Sequence, residues 1–329
     1  MWSITRIYNK IKVLVKHVKL FEDFKDKEPA DLHKVYLAFD PDLGHRFWQF
    51  KDFAADKFFT RLTPENYKKH KIDSSLPVLT YNSKVVQKLL DDGLIKHENV
   101  YNKPEHIEKS GSKAEFHKIV EGDKNIPKTI HKTEDAVKEI GFPMIAKPAV
   151  GHSGLGITVM KNQKDFDSAD HSKLDVYSQY IDKKGEHRFF TFKGKPFFWQ
   201  EREPTNNKAK TGEGEGKERM MFNYIKRDVT KTPEKFNKLI ARFGKIFSDL
   251  PFICFDIMED KNGKLYIIES NSMPGVPYDS TAELYKVIFK DFYGRDISAA
   301  TKTMLDKYSK TMMKKTLQKD GGKRFSSKQ

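Results

Sequence analysis

The chain has 329 residues, enough for two or three packed units, and its 25 Phe and 13 Tyr can supply a core although 33% of the residues are charged. The net charge of +15 predicts attraction to phosphates, nucleic acid, anionic lipid or acidic proteins. No run of 18 apolar residues occurs, so no membrane-spanning helix is predicted. The one cysteine, Cys254, rules out an internal disulfide, and we expect a reducing compartment, the cytoplasm. No zinc spacing of Cys and His and no HExxH motif occurs.

The first third of the chain is predicted to be a small α/β unit. Apolar residues spaced three and four apart over residues 4–21 predict a basic amphipathic helix, which either docks on its own domain or meets a partner or a membrane surface. Ser83 is the expected cap of a second helix and Gly93 its end. Residues 41–75 are predicted to be irregular and 99–111 to be a polar connector. The predicted elements are strands at 35–39 and 76–80 and a helix at 83–91.

The rest of the chain is predicted to mix helices with strands. Residues 133–140 are typical of a helix because Glu134 and Asp135 fall in its first turn, where the helix dipole favours acidic residues. Residues 211–217, TGEGEGK, have low complexity and are predicted to form a loop. The other predicted helices cover 113–120, 233–249, 281–293 and a basic stretch from 299, and the predicted strands cover 144–147, 157–160, 175–181, 188–192 and 196–201.

The most informative segment is 252–274, in which two strand-like runs flank an Asn-Gly pair. Asn-Gly in this position is a strong signal for a two-residue β-hairpin loop. Counting outward from that loop places Asp256 directly opposite Glu269. Because side chains alternate along a strand, Asn271 shares a face with Glu269.

Two opposed acids on one face of a hairpin create a conflict of charge. Their β-carbons would lie about 4.5–5.5 Å apart, and like charges at that distance are destabilising. We expect apolar neighbours on this face, namely Cys254, Met258 and Ile267, so water would screen the repulsion poorly. A divalent cation removes the conflict, and Mg²⁺ typically uses one or two carboxylates together with substrate phosphates. The alternative is an ordinary exposed hairpin whose acids never meet.

A second pattern with phosphate chemistry follows Lys147, which ends a predicted strand. Gly151, Gly154 and Gly156 come next, before another strand. Glycines let backbone N–H groups approach phosphate oxygens, and a lysine supplies a point charge. The P-loop motif is excluded because Ile157 stands where it needs a lysine, and a strand follows where a Rossmann turn needs a helix. The pattern predicts a flap over a nucleotide, with a plain glycine-rich hairpin as the alternative.

The order of these motifs resembles the ATP-grasp superfamily, and most closely its branch with ribosomal-protein glutamate ligases and glutathione synthetases. The resemblance covers residues 110–295 and rests on four short motifs, together with the acid pair and the glycine loop. The motifs are Ser112-Lys-x-x-Phe116, Ile126-Pro-x-Thr129, Phe142-Pro-x-x-x-Lys147-Pro and Glu269-x-Asn-x-x-Pro-Gly275.

The resemblance implies an α+β fold in which two α+β subdomains clasp ATP, preceded by a small α/β domain. The implied divisions are 1–110 for the N-terminal helix and small domain, 111–182 for the nucleotide subdomain with its flap, 183–295 for the metal-binding subdomain and 296–329 for a basic helix and tail.

The resemblance also implies roles for individual residues. Lys113 and Lys147 would contact ATP, and Glu186 would be a nucleotide or orienting contact. Two departures from the family pattern are His152 in the glycine loop and the lysine-rich insert at 203–217. The implied site comprises a flap (Gly151, His152, Ser153, Gly154, Gly156), an adenine hinge (Gln179, Tyr180, Ile181), charges near the transferred phosphate (Lys147, Arg188, Arg202, Arg219) and ligands for one or two Mg²⁺ ions (Asp256, Glu269, Asn271).

The implied reaction joins a carboxylate to an amine through an acyl phosphate at the expense of ATP. A protein or peptide tail is one candidate acceptor, and the basic stretch 302–329, with nine basic and two acidic residues, is a candidate site for an anionic partner. Neutralising Asp256 or Glu269 is expected to abolish turnover and leave the fold intact. Two alternatives stay open, an ATP-grasp kinase that phosphorylates a polyanionic small molecule and a basic protein that binds nucleic acid or a membrane surface.

Overall fold

The computed structural model of the chain describes residues 34–38, 58–111, 113–131, 133–148, 156–210 and 218–319. Side chains are described for these residues except 108–111, 114, 204–210, 218–223, 278 and 312–319. The described chain forms three β-sheets with helices packed on them, which confirms the predicted α+β class. The predicted N-terminal helix, the centre of the glycine loop and the end of the basic tail lie outside the described residues. None of the described helices combines the length and apolar character needed to cross a bilayer.

The first sheet, which we call the N-terminal sheet, has four parallel strands. It comprises β1 (Val35–Ala38), β2 (Phe59–Leu62), β3 (Val78–Thr80) and β4 (Val100–Tyr101), with helices α1 (Ser83–Asp91) and α2 (Pro104–Gly111). The strand order is β2-β1-β3-β4. The predictions of β1, β3 and α1 are confirmed, whereas β2, β4 and α2 occupy segments predicted to be irregular or a connector. The cap of α1 is Asn82 and not Ser83, because the Asn82 side chain accepts the Val85 amide at 3.2 Å.

The second sheet, the middle sheet, has four antiparallel strands in the order β5-β8-β6-β7. It comprises β5 (Thr129–Ile130), β6 (Met144–Lys147), β7 (Thr158–Met160) and β8 (Val176–Gln179), with helices α3 (Lys113–Ile119), α4 (Thr133–Glu139) and α5 (Gln163–Asp167). Met144 and Ala146 of β6 pack in a small core with Ala136 of α4. Because strand side chains alternate, Ile145 and Lys147 belong to the opposite face of the sheet.

The third sheet, the five-stranded sheet, has the order β11-β10-β9-β12-β13. It comprises β9 (Lys183–Phe192), β10 (Lys195–Lys210), β11 (Glu218–Arg227), β12 (Phe252–Asp260) and β13 (Leu265–Asn271), with helix α6 (Glu234–Ile246). Phe236 and Ile240 of α6 pack on one face of the sheet against Phe255 and Ile257. Strand β11 was not predicted, and β10 continues beyond its predicted end at Glu201 into the lysine-rich insert.

The opposite face of the five-stranded sheet shares one hydrophobic core with the N-terminal sheet. Asn102, buried with a φ of 54°, fastens the two together. Its Nδ2 donates to the carbonyl oxygens of Phe252 at 2.6 Å and Ser272 at 3.1 Å, and its Oδ1 accepts the Phe252 amide at 2.9 Å. The core includes Leu37 and Phe58 on one side and Phe190, Phe252 and Cys254 on the other.

Two long helices complete this core, α7 (Tyr278–Tyr293) and α8 (Ala299–Lys319). Leu305 and Tyr308 of α8 are buried in it, and the Tyr308 ring lies 6.2 Å from the Phe58 ring. The predicted domain boundaries remain predictions. The packing adds that the segments before and after residue 110 share a core, and that the helix predicted at the basic C-terminal stretch is anchored by apolar side chains.

Candidate active site

The hairpin formed by β12 and β13 has a three-residue loop, Lys261–Gly263, and not the predicted two-residue loop. The Asp260 amide donates to the Lys264 carbonyl oxygen at 2.9 Å, and the Gly263 amide donates to the Asp260 carbonyl oxygen at 3.0 Å. Gly263 has a φ of 80°, the left-handed conformation that a loop of this length requires after its turn.

A bulge then restores the predicted alignment of the two acids. Near the loop Ile257 pairs with Ile267, but the next pair is Asp256 with Glu269, so Ile268 has no partner. The extra residue in β13 cancels the extra residue in the loop, and the predicted pairing of Asp256 with Glu269 is confirmed. The prediction that Ile267 lies beside the acids was wrong, because the bulge turns it to the other face, where it packs with Ile257.

Asp256 is held by two arginines. Arg188 Nε and Nη2 donate to its two carboxylate oxygens, each at 2.7 Å, and Arg202 Nη1 lies 3.1 Å from Asp256 Oδ2. Arg202 Nη1 also donates to Glu186 Oε1 at 2.7 Å, and Lys183 Nζ donates to Glu186 Oε2 at 2.5 Å. Burial raises the pKa of Asp256, but Arg188 and Arg202 outweigh it, and the net pKa lies below the usual value.

The polar side chains on this face of the five-stranded sheet form two rows that run across the strands. Strand pairing places the members of each row side by side. The apolar side chains on the rest of this face belong to the core shared with the N-terminal sheet. The first row is Lys226, Gln200, Arg188, Asp256 and Glu269, and the second begins with Tyr224, Arg202 and Glu186. Gln200 is buried and was not identified from the sequence. Gln200 lies beside Arg188 because an irregularity between Pro196 and Phe198 shifts the register of β10 against β9 by one residue, which the turn between the two strands does not indicate.

Glu269, in contrast to Asp256, has no ion pair or hydrogen bond within the part of the chain that the structure describes. Its pKa is raised by burial and then by the charge of Asp256, and the opposing effects of Lys113, Arg188 and Lys147 are smaller. A half-buried carboxylate without a partner beside a charged carboxylate fits a divalent cation, which would relieve both the burial and the repulsion.

Asn271 follows Glu269 by two residues and pairs with Cys254 across the hairpin. Its Oδ1 accepts the Met273 amide at 2.8 Å, and an amide oxygen has a second lone pair for a metal ion. Among the described residues, no three His, Cys, Asp or Glu side chains are grouped as a metal site. Asp256 and Glu269 are the two acidic side chains that the strand pairing places opposite each other.

Lys147 ends β6 and lies within the electrostatic reach of the acid pair. Burial lowers its pKa to about 8, Lys113 contributes to the lowering, and Glu269 acts in the opposite direction. The structure thus brings Lys113, Lys147 and Glu269 into one neighbourhood at the junction of the middle and five-stranded sheets. Gly156 lies at the end of the predicted flap. The other flap residues, Gly151, His152, Ser153 and Gly154, lie outside the described residues.

The predicted hinge begins at Gln179, the last residue of β8. The amides of Gln179 and Tyr180 donate to the carbonyl oxygens of Lys128 and Pro143, at 2.8 and 3.3 Å. No acceptor for the Ile181 amide is found within the described chain. Ile181 is buried, whereas the Gln179 and Tyr180 side chains are exposed. The hinge therefore offers a backbone donor beside an apolar side chain.

An exposed apolar surface continues from the hinge toward Lys147. Ile145 pairs with Val159 of β7 on the same sheet face as Lys147, and Val159 and the nearby Ile157 are 41% and 49% exposed. Such a surface suits the flat, apolar ring of a nucleotide base. The alternation in Met-Ile-Ala-Lys of β6 is the sequence signal that would have identified Ile145.

The predicted role of the Arg219 side chain remains a prediction. Arg219 belongs to β11 and pairs with Ala209, and only its backbone is described. The other predicted site residues whose side chains are described lie on two sides of the junction that holds Lys147 and Glu269. One group belongs to the middle sheet and α3, and the other belongs to the five-stranded sheet.

Comparison with known proteins bears on the fold of the chain. The family model for the carbamoyl-phosphate synthase L chain, ATP binding domain, matches residues 106–179. The D-alanine–D-alanine ligase of Bacillus anthracis superposes with a TM-score of 0.55 over 86% of this chain and 99% of its own, at 16% identity. The N5-carboxyaminoimidazole synthetase of Staphylococcus aureus, complexed with ADP, gives 0.57 over 80% of this chain and 78% of its own, at 15% identity. The chain has the fold of the ATP-grasp superfamily.

The resemblance predicted from the sequence is confirmed for the fold. The Bacillus anthracis ligase complexed with ATP covers 87% of this chain with a TM-score of 0.53 at 16% identity. No curated protein matches by sequence. The family-model match contains Lys113, Lys147 and Gln179, while Asp256 and Glu269 lie beyond it, so the acid pair is supported by the strand pairing alone.

Proposed function

We propose that this chain is an ATP- and Mg²⁺-dependent ligase that joins a carboxylate to an amine through an acyl phosphate. The observation that supports this most strongly is the neighbourhood of Lys147 and Glu269, with Asp256 opposite Glu269. A lysine on one sheet supplies charge for phosphates, and an acid pair on the next sheet supplies ligands for a cation. A nucleoside triphosphate with its metal ion needs both at once.

In the proposed first step, an oxygen of the substrate carboxylate attacks the γ-phosphorus of ATP, and the bond to the ADP oxygen breaks. In the second step the amine nitrogen attacks the acyl carbon, inorganic phosphate leaves with the bonding electron pair, and the nitrogen loses a proton. No side-chain nucleophile is needed, because the chain acts by positioning its substrates and by neutralising charge.

Each described group has a role in this scheme. Lys113 and Lys147 bind the phosphates, and Arg188 and Arg202 stabilise negative charge on the transferred group. Mg²⁺, when bound, supplies positive charge to the phosphate oxygens. Asp256, Glu269 and Asn271 are the residues that would hold it, and Arg188 keeps Asp256 in place as a paired carboxylate.

The nucleotide base is proposed to lie on the apolar surface beside the hinge. The Ile181 amide offers a donor to a ring nitrogen, and Ile145 and Val159 offer apolar contact. Glu186 accepts a hydrogen bond from Arg202, and it is proposed either to contact the ribose or to orient Arg202. The flap residues Gly151, His152, Ser153, Gly154 and Gly156 are proposed to cover the phosphates. Gln179 and Tyr180 are proposed to form the hinge against the base together with Ile181, and Arg219 is proposed to lie near the transferred phosphate.

Within the superfamily, the short motifs favour the branch of ribosomal-protein glutamate ligases and glutathione synthetases. The structural neighbours are named a ligase and a synthetase, which supports ligation in general. The carboxylate and amine substrates are proposed as classes only, and a peptide or protein tail is one candidate acceptor. Cys254 is buried and makes no disulfide, in keeping with the cytoplasm as the place of reaction.

A kinase is the second candidate, because the net charge of +15 and the half-buried Arg188 and Arg202 would suit a polyanionic acceptor. It differs from a ligase in the fate of the γ-phosphate. A ligase releases inorganic phosphate, whereas a kinase leaves the phosphate on the acceptor.

The test is to incubate the chain with ATP, Mg²⁺ and pools of amino acids and short acidic peptides. Released phosphate and product masses are both measured, with Glu269→Gln as the matched control. A ligase releases phosphate only when a carboxylate and an amine are both present, and the product mass equals the sum of the two less water. Phosphate transfer without release would favour the kinase. Binding to anions that is steep in salt and identical in Glu269→Gln, without turnover, would overturn both.

A further inference from the structure

His117 is a buried histidine that the proposed chemistry leaves without a role. It lies on α3 and its side chain is 6% exposed. Neither ring nitrogen has a hydrogen-bond partner among the described residues. Buried polar groups are nearly always satisfied, so a donor and an acceptor left open on one buried ring indicate a partner that the chain itself does not provide.

Helix α3 lies between the two sheets that border the candidate site. Phe116 stacks on Phe247 of the core beneath α6, with ring centroids 5.9 Å apart. Just after the helix, the Asn125 carbonyl accepts the Ile267 amide of β13 at 2.8 Å, which holds this segment against the strand that carries Glu269. The helix is therefore fixed at the junction of the middle and five-stranded sheets.

On α3, His117 and Lys113 are four residues apart and share a side of the helix. The His117 ring lies 6.0 Å from the ring of His131, which follows β5. Burial first, and then the charges of Lys147, His131 and Lys113, lower the pKa of His117 to about 3. The ring is thus neutral near pH 7, with one N–H to donate, and it is surrounded by groups that carry or accept positive charge.

The chemistry of this position selects the kind of partner. The lysine ammonium groups can donate but not accept hydrogen bonds, so they cannot satisfy the N–H of His117. An anion with several acceptor oxygens can bind the lysines and accept from the histidine at the same time. Phosphate oxygens of a nucleotide meet both conditions, since Lys113 and Lys147 are the proposed phosphate contacts.

We propose that His117 is a further nucleotide contact, a neutral donor whose ring N–H hydrogen-bonds the phosphate chain of bound ATP beside Lys113 and Lys147. The inference rests on the proposed function, because it uses the same nucleotide site. His117 supplies direction where the lysines supply charge, so it would fix the phosphate chain in one orientation.

The first experiment follows the imidazole nitrogens of the full-length chain by ¹⁵N NMR during titration with ADP, a non-hydrolysable ATP analogue or adenosine. The His117 signals are assigned by their loss in His117→Gln. We expect them to move with ADP and the analogue and to stay in place with adenosine. If other signals in the spectrum show that the analogue binds while the His117 signals stay in place, the inference is overturned and the proposed function stands. A chain that binds no nucleotide would overturn both.

The second experiment compares dissociation constants in variants. His117→Phe keeps a ring and removes the donor, and His117→Gln keeps a donor. We expect His117→Phe to weaken ATP binding about fivefold, or about 1 kcal/mol for one neutral hydrogen bond, and His117→Gln to retain most of the affinity. His97→Phe, an exposed histidine paired with Glu105 at 3.0 Å, is the matched control and should bind as the wild type does.

Adenosine separates a phosphate contact from general damage to the pocket. Equal binding of adenosine by the wild type and His117→Phe supports the inference. An equal loss for adenosine and ATP would assign His117 a packing role and overturn it, as would unchanged ATP affinity in His117→Phe. If His117→Phe fails to fold, the NMR titration of the wild type decides.

Discussion

Arg188 on β9 and Asp256 on β12 are paired across adjacent strands and joined by two parallel hydrogen bonds of 2.7 Å. Arg202 adds a contact of 3.1 Å to the same carboxylate. Asp256, which is buried, is thus the shared counter-ion of two half-buried guanidinium groups. Among the described residues Glu269 has no such partner, so the fold neutralises the charge of Asp256 and leaves that of Glu269 unpaired.

The first prediction concerns Asp256→Asn. The change leaves the half-buried Arg188 and Arg202 with no carboxylate from β12, and breaking a buried ion pair destabilises by about 3–5 kcal/mol. We therefore expect a large loss in the free energy of unfolding, measured by urea denaturation, in addition to loss of turnover. This corrects the expectation from sequence that the fold would be unaffected. Unfolding identical to that of the wild type would show that the arginines do not depend on Asp256.

The second prediction concerns Glu269→Gln, which removes a charge that burial and Asp256 already disfavour. Because the pKa of Glu269 is raised in the folded chain, the folded state holds its proton more tightly, and stability falls as pH rises from the unfolded pKa through the raised one. We expect this slope in wild-type urea curves without Mg²⁺ and its absence in Glu269→Gln, whose stability near pH 7 should equal or exceed that of the wild type. A variant markedly less stable than the wild type would contradict this account.

The third prediction concerns Lys147 and pH. With a pKa of about 8, its amine is charged below pH 8 and loses its proton above it in the free protein. Bound phosphates favour the charged form, so ATP binding takes up a proton above pH 8. We expect the ATP dissociation constant to rise by up to about tenfold per pH unit above that point. Isothermal titration in buffers of different ionisation enthalpy measures the proton uptake. Lys147→Arg should bind without this dependence, and a parallel curve for that variant would assign the effect to another group.

The fourth prediction concerns Gly244 in helix α6. A β-carbon at this position would lie 2.4 Å from the Cα of Gly194, in the two-residue turn between β9 and β10. Lys193 and Gly194 both have positive φ, so the turn cannot shift without strain. Alanine usually favours a helix, but here we expect Gly244→Ala to lower the free energy of unfolding by about 1–3 kcal/mol. Lys238→Ala, exposed on the same helix, is the control and should change it by less than about 0.5 kcal/mol.

The fifth prediction concerns the basic C-terminal helix. Deleting residues 302–329 removes Leu305 and Tyr308 from the shared core, and loss of a large buried side chain destabilises by about 2–5 kcal/mol. We expect such a truncation to fold poorly, so it cannot test a role in binding. Lys302→Glu with Lys310→Glu, both at exposed positions, should leave the unfolding midpoint nearly unchanged and weaken binding of an acidic peptide. Unchanged peptide binding would remove the basic face of α8 from consideration.

Local pattern was sufficient for some of these features. The alternation of residues 252–274 and the Asn-Gly signal predicted a hairpin with Asp256 opposite Glu269, and the run from Met144 to Lys147 predicted a strand ending in a lysine. Both depend on residues close together in the chain. Strand alternation acts over such distances, but the Asn-Gly signal predicted a loop one residue too short, and the acids are opposite each other because the bulge at Ile268 offsets that error.

Other features depend on pairing between distant segments. The contact of Arg188 with Asp256 joins residues far apart in the chain, and β2 lies beside β1 as a parallel strand, a pairing that no local turn can specify. His117 falls in a helix that was predicted, but its burial comes from the docking of α3 between two sheets. A single sequence without the register of those sheets does not indicate which charges meet.

The hairpin that holds the two acids also sets a rule for redesign. Its loop carries one residue more than an Asn-Gly turn needs, and Ile268 carries one residue more than a regular ladder needs. Deleting one loop residue would leave Asp260 paired with Lys264, and deleting Ile268 would leave Asp256 opposite Glu269, so neither change alone shifts the pairing of the two acids. A shortened or grafted loop at this position therefore preserves the site as long as it closes between Asp260 and Lys264.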